Sequence, residues 1–300
     1  MSHDHGEMST PEFALVTVLN AVITVAEIVS GLFSGSLGLV SDGFHNMEDT
    51  LSVVLSFAAH VISQKDSNER QTFGYRRAEI LAAFINSVIL IAITIVLALE
   101  GLQRLFHPQK VNGNIMFWVA VVSFVANLTS TLIMLQGSKH NLNIKATFLH
   151  MAADAVTSLS VIVAALLVKV WHWYWADPVI TLLTSVWIMK ESWSVVKQAV
   201  AILMEASPKL DLKQICQRIQ SLPEVISVHH VHLWRIDEQL IAFDAHINVA
   251  EDESLSQLEL LYQKISQILQ IEFGIEHVTL QPEYKHGLKE TLVHQKVNKK

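Results

Sequence analysis

Six long apolar runs occupy the first two thirds of the chain, at 13–33, 37–62, 80–106, 114–136, 144–170 and 178–200. A helix needs about 20 apolar residues to cross the hydrocarbon core of a bilayer, and every run reaches that length. A soluble bundle of such helices would need a charged coat. Charged residues make up only 16% of this chain, against about 25% in an average soluble domain. The pattern therefore predicts a membrane domain of six transmembrane helices over 13–206, preceded by a short tail at 1–12. The first run is too long for a cleaved signal, and no small-residue cleavage site follows it. A net charge of −7 argues against a nucleic-acid partner. The single cysteine, Cys216, cannot close an intrachain disulfide.

Lysine and arginine sort to one side of these spans. The second-to-third connection holds Lys65, Arg70, Arg76 and Arg77, the fourth-to-fifth holds Lys139 and Lys145, and the exit from the sixth reaches Lys209. The opposite side offers Arg104, Lys110 and Lys169. Positive loops stay in the cytoplasm, so both termini are expected there. Trp171, Trp173, Tyr174 and Trp175 would then form an aromatic belt at the far interface.

Past Pro208 the character changes. Residues 207–284 read as a helix (210–221), two strands (225–235 and 240–249), an amphipathic helix (254–270) and a third strand (275–280). That order predicts a compact α+β module whose sheet packs one face on two helices. The stretch 285–300 carries five lysines against Glu290 and reads as a disordered basic tail.

The chemistry lies in polar residues set inside apolar runs, where an ionisable group is costly and marks function. The second run holds Asp42, His45, Asn46, Glu48 and Asp49, and the fifth holds His150 and Asp154. His45 with Asp49, and His150 with Asp154, share the spacing His-x-x-x-Asp. Four residues advance a helix by about 400°, so each pair lies on one face a turn apart. Bringing the two faces together gives two nitrogens and two oxygens, a set that suits tetrahedral Zn²⁺ and leaves Cd²⁺ or Co²⁺ as competitors. Asp42 and Asn46 are read as residues that orient these ligands. Glu48 falls on a different face. Glu27, Asn20, Asn86 and Asn127 are read as hydrogen bonds between helices, and His3 and His5 beside Asp4 as a weak metal-collecting tail. In the second module, His229, His230 and His232 lie on one strand and His246 on the next. Strict alternation groups His230 with His232 and puts His229 on the other face, and a hairpin would bring His232 near His246, across from Glu283.

Together these features resemble the cation diffusion facilitators, most closely their bacterial zinc/cadmium/cobalt efflux branch and the related eukaryotic zinc transporters. The resemblance covers about residues 12 to 284. It is carried by Ser-Leu-Gly-Leu-Val-Ser-Asp-Gly-Phe-His-Asn-Met-Glu-Asp (36–49), Phe-Gly-Tyr-Arg-Arg-Ala-Glu-Ile-Leu-Ala-Ala (73–83), Leu-Asn-Ile-Lys-Ala-Thr-Phe-Leu-His-Met-Ala-Ala-Asp (142–154), Trp-Ala-Asp-Pro (175–178) and Val-His-His-Val-His-Leu-Trp (228–234). It implies a homodimeric antiporter of the inner (plasma) membrane that exports Zn²⁺ against incoming protons. Its transport site would be His45, Asp49, His150 and Asp154, with His45 resembling the zinc-selective members. The tail module would be a ferredoxin-like cytoplasmic domain that dimerises and senses metal through His232, His246 and Glu283. Gln281 stands where some members have a histidine, and Gln71 and Tyr75 stand where some have a further zinc site. Other classes remain: a zinc-gated channel or uniporter would not need a pH gradient, and a membrane sensor would carry no flux. An enzyme is not expected, because a zinc hydrolase needs an open metal position and a base on the same face.

Overall fold

Six long helices account for the apolar runs: α1 (Thr10–Ser34), α2 (Leu37–Ser63), α3 (Ala78–Phe106), α4 (Gly113–Gly137), α5 (Leu142–Trp171) and α6 (Ala176–Leu203). They belong to a computed structural model that describes residues 10–137, 142–288 and 291–292. Inside the helices, the side chains of 10–19, 53, 56, 133–137, 142–148 and 150 lie outside that description. So do His3, His5 and most of the stretch read as a basic tail. The chain divides into two units, Met1–Ala58 with Ala82–Val196, and Ala59–Leu81 with Lys197–Lys300.

The first unit wears its apolar residues outside. Val22, Phe57, Val96, Leu99, Trp118, Val156, Leu183 and Val186 are each more than half exposed, while Glu27, Asp42, Asn46, Asn86, Asn127, Asp154 and Asp177 are buried. A water-soluble fold reverses that distribution, and hydrocarbon solvent permits it. Among the described residues, Ala78–Phe106, Gly113–Leu132, Met151–Trp171 and Ala176–Leu203 are long and apolar enough to span a bilayer. The described apolar part of α1, Asn20–Ser34, is shorter. The described side chains of α2 are interrupted at 53 and 56, and the helix carries the polar stretch His45 to Asp49. Helices α4 and α5 pack closely through small residues, with Ala120 and Ala164 both fully buried. A Cβ on Gly113 would stand only 2.9 Å from the Lys169 backbone nitrogen.

The second unit is built on α7 (Leu212–Gln220), β1 (Val225–Arg235), β2 (Ile241–Val249), α8 (Leu255–Phe273) and β3 (His277–Glu283). The sheet runs β1-β2-β3, antiparallel between the first two strands and parallel between the last two. A parallel pair requires a crossover, which α8 supplies. Asp211 caps α7 by accepting from Lys213 N at 2.9 Å and Gln214 N at 3.3 Å. Gly274, at φ 67°, closes α8 in the left-handed conformation that favours glycine. Ile215, Ile219, Phe243, Ile265, Leu269 and Ile275 are fully buried between sheet and helices. Burial raises the Cys216 thiol to about 11, which keeps it protonated and inert. At the β1–β2 turn, burial would raise the Asp237 carboxyl. Bonds from Leu240 N, Gln239 N and the Arg76 guanidinium outweigh that and hold it below the usual carboxylate range.

Several element ends differ from the sequence expectation, and two of the differences bear on the second site. The third strand continues three residues past Leu280 to Glu283, because it pairs with β2 as far as Asn248. Part of the stretch read as a tail is tied to the module: Val231 N donates to Leu292 O at 2.8 Å, and Asn248 Nδ2 to His286 O at 2.6 Å.

Candidate metal centres

Helix α2 starts at Leu37, so His45 stands about two turns inside it. The His45 Nε2 and Asp154 Oδ1 atoms lie 3.2 Å apart, joining α2 to α5. Ligand atoms of His45, Asp49 and Asp154 all fall within 4.8 Å of one another. His45 and Asp154 are buried and Asp49 is half-buried. His150 precedes Asp154 by one turn of α5 and so sits on the same helix face, but its side chain is outside the described residues.

Asp42 bonds to the next turn of α5, accepting from Thr157 Oγ1 at 3.2 Å and Ser158 Oγ at 3.0 Å. Ser158 in turn accepts from Asn127 Nδ2 of α4 at 3.1 Å. Asp42 thus sets α2 against α5 just beside the cluster. Asn46 turns toward α1, where its Nδ2 donates to Glu27 Oε2 at 2.7 Å. The sequence reading puts Glu48 on a different face, but it follows His45 by three residues and is its neighbour on α2, with Oε2 at 3.9 Å from His45 Nδ1. Asn86 Nδ2 of α3 donates to Glu48 Oε1 at 3.2 Å. The approach to His45 is an ion-pair distance, longer than a hydrogen bond, and the Asn86 bond ties Glu48 to α3. Five carboxyl groups, those of Glu27, Asp42, Glu48, Asp49 and Asp154, gather in this short stretch. Such a density inside hydrocarbon demands protons or a cation for balance.

The second unit holds another group, and it is not the one that strict alternation gives. Ligand atoms of His229, His246 and Glu283 lie within 4.8 Å of one another. Glu283 Oε2 is 3.2 Å from His229 Nε2, and Glu283 Oε1 is 2.9 Å from His246 Nδ1. His232 is exposed and outside the group. The cause is a β-bulge, in which His230 and Val231 stand opposite Ala245 alone, with His230 at φ 50°. The extra residue returns His229 and His232 to one face. Register then decides: His229 faces His246, whereas His232 faces Asp244, farther from Glu283. The His230 ring stacks on His246, their centroids 4.6 Å apart. Behind the group sits Gly287, where a Cβ would come 2.4 Å from His229 Nε2. Two imidazoles and a carboxylate, with His229 and Glu283 side chains almost fully buried, fit a tetrahedral Zn²⁺ with one position left over.

Residues 14–204 match the cation efflux transmembrane domain, and residues 207–285 match the cytoplasmic domain of cation efflux proteins. The chain belongs to the cation diffusion facilitators. The cadmium, cobalt and zinc/H(+)-K(+) antiporter of Bacillus subtilis (strain 168) is 32% identical over 287 residues, 94% of this chain and 92% of its own length. The zinc transporter ZitB of Escherichia coli (strain K12) is 33% identical over 297 residues, 95% and 94% of the two chains. A solved metal-bound C-terminal domain of the CzcD transporter from Cupriavidus metallidurans covers 25% of this chain and 99% of its own, at 28% identity and a TM-score of 0.22.

Some residues of this facilitator's sites carry no local sequence signal. His229 and Gly287 depend on the bulge and on chain beyond the third strand. Asp177 is legible only as part of Trp-Ala-Asp-Pro, but the fold gives it a task. From the first turn of α6 it accepts Ser36 Oγ at 2.6 Å, Leu37 N at 2.8 Å and Gly38 N at 3.0 Å, capping α2 from another helix. Gly38 is needed there, because a Cβ would stand 2.9 Å from Asp177 Oδ1. The cap fixes the height of His45 and Asp49 in the bundle. Asp177→Ala is expected to lose about 1–2 kcal/mol of stability, the usual worth of such a cap, and to slow transport. Melting of the purified protein and vesicle flux check both effects, and Asp177→Asn, which keeps an acceptor, should fall between.

Proposed function

We propose that this facilitator is a zinc efflux transporter that exchanges cytoplasmic Zn²⁺ for protons, as a homodimer in the inner membrane with both termini in the cytoplasm. The observation that carries the reading is the convergence of His45, Asp49 and Asp154 inside the transmembrane unit, with His150 one turn away on the same face of α5. These four offer two nitrogens and two oxygens, and no ion that wants six or more oxygens is well served by them. Relatives named as zinc, cadmium and cobalt transporters over most of the chain support the same cargo class. The protein acts as a carrier and not as an enzyme, since all four groups are used to hold cargo.

Exchange follows from the ligands themselves. Zinc binds carboxylate and neutral imidazole, so loading expels protons. Histidine is the side chain that changes charge near neutral pH, so protonation on the far side removes lone pairs and releases the metal. The same groups return with protons. The cytoplasmic module regulates this cycle, with His229, His246 and Glu283 as the residues that would hold a sensing Zn²⁺.

Vesicles with the cytoplasmic face outward and an acidic lumen test the proposal. Zinc should accumulate inside, and collapsing the pH gradient should stop accumulation. Uptake indifferent to the gradient would establish a channel or uniporter instead, and binding without flux would establish a sensor.

A further inference from the structure

A cleft of about 490 Å³ opens in the second unit beneath the loop that precedes α3. Its walls combine Arg70, Arg76 and Arg77 with Phe73, Leu203 and Trp234. Three features of these walls bear on what fills it.

The first is charge. Glu205 is the one acidic group in the lining, so three guanidiniums outnumber it. Arg76 reaches Asp237 at 3.1 Å and Arg77 reaches Glu205 at 3.1 Å. Each guanidinium has five donors in a fork, so both keep N–H groups to spare. The Arg70 side chain has no hydrogen-bond or ion-pair partner among the described residues; only its backbone N–H is used, by Asn68. The second feature is place. Leu81 lies in the first turn of α3 and Leu203 in the last of α6, both helices apolar enough to span a bilayer. With the helices spanning as proposed above, on which this reading rests, the cleft comes to the cytoplasmic headgroup level, with acyl chains beginning where those turns begin. The third is its apolar content. Phe73 is 44% exposed and Leu81 48% exposed, and Tyr75 and Trp234, of the two ring types enriched at the membrane interface, also line the cleft.

We propose that this cleft binds the headgroup of an anionic phospholipid, its phosphate held by Arg70 with the spare donors of Arg76 and Arg77, and its chains along Leu81 and Leu203. Arginine forks match phosphate oxygens in pairs, and basic pockets at the cytoplasmic ends of transmembrane helices are where such headgroups bind. A soluble phosphate would use the guanidiniums but would leave the apolar wall bare. A zwitterionic lipid would cover the wall but would bring its own ammonium against the arginines.

Native mass spectrometry of the full-length protein in detergent tests this, with dioctanoyl phosphatidylglycerol, dioctanoyl phosphatidylcholine and glycerol 3-phosphate as probes. Saturable binding of the phosphatidylglycerol, much tighter than that of either other probe, is expected. Arg70→Gln should weaken it about tenfold, the worth of one charge-assisted contact, and Arg70→Lys should restore part of the loss. Since Arg70 is exposed, both variants should melt as the wild type does. Phosphatidylcholine binding as tightly would reduce the cleft to an apolar groove, and glycerol 3-phosphate binding as tightly would make it a site for soluble anions. Unchanged affinity in Arg70→Gln would also overturn the assignment.

Discussion

Replacing His45 or Asp154 by alanine is expected to abolish zinc transport while leaving a folded protein in the membrane. Each change removes one of four proposed ligands and breaks the 3.2 Å link between α2 and α5. The remaining carboxylates stay crowded in hydrocarbon without the metal that would balance them. Loss of an orienting partner alone costs about 10–100-fold in metal affinity, so loss of a ligand should exceed that range. Asp42→Asn is the natural control, because Asp42 bonds Thr157 and Ser158 instead of pointing at the metal. It should fall inside the same range. Zinc flux into vesicles and calorimetric zinc binding give the two readouts. Wild-type flux in His45→Ala would remove His45 from the site, and equal losses in Asp42→Asn and Asp154→Ala would make Asp42 a ligand as well.

The helical period made much of this readable in advance. His45 with Asp49, and His150 with Asp154, lie four apart in runs that otherwise fit a membrane, and that spacing fixes a shared face before any packing is known. The run limits were also legible, since apolar length and polar loops set them directly. What could not be read are contacts that depend on which helices become neighbours. Asp177 reaches Ser36 across 141 positions of chain, and nothing near either residue announces the other. Glu48 illustrates a different gap: the sequence reading puts it on another face, yet three residues advance a helix by about 300°, so it is a neighbour of His45 and its carboxylate comes to 3.9 Å from the imidazole. In the cytoplasmic module, strand alternation assumed an uninterrupted ladder. One extra residue at His230 was enough to bring His229 onto the face of His246 and to leave His232 one pairing step away.

That register shift turns into the sharpest prediction for the sensing role proposed for this module. His246→Ala or Glu283→Ala should raise the zinc concentration for half-activation of transport by about 5- to 150-fold, the range of an ordinary coupling between sites, with a smaller change in maximal rate. The proposed transmembrane ligands are untouched, so the effect should appear as sensitivity and not as capacity. His229→Ala should behave like these two, because its Nε2 shares Glu283 with His246. His232→Ala should leave the curve nearly where it was, since that side chain faces solvent opposite Asp244. Gly287→Ala gives an independent probe: its added methyl meets His229 Nε2 at 2.4 Å, so the ring must move and sensitivity should fall without loss of any ligand. Rate measured against cytoplasmic-side zinc in vesicles separates these cases. A shift in His232→Ala with none in His246→Ala would return the sensor to the face that strict alternation predicts. Curves identical to the wild type in all five variants would mean that the module does not read metal at all.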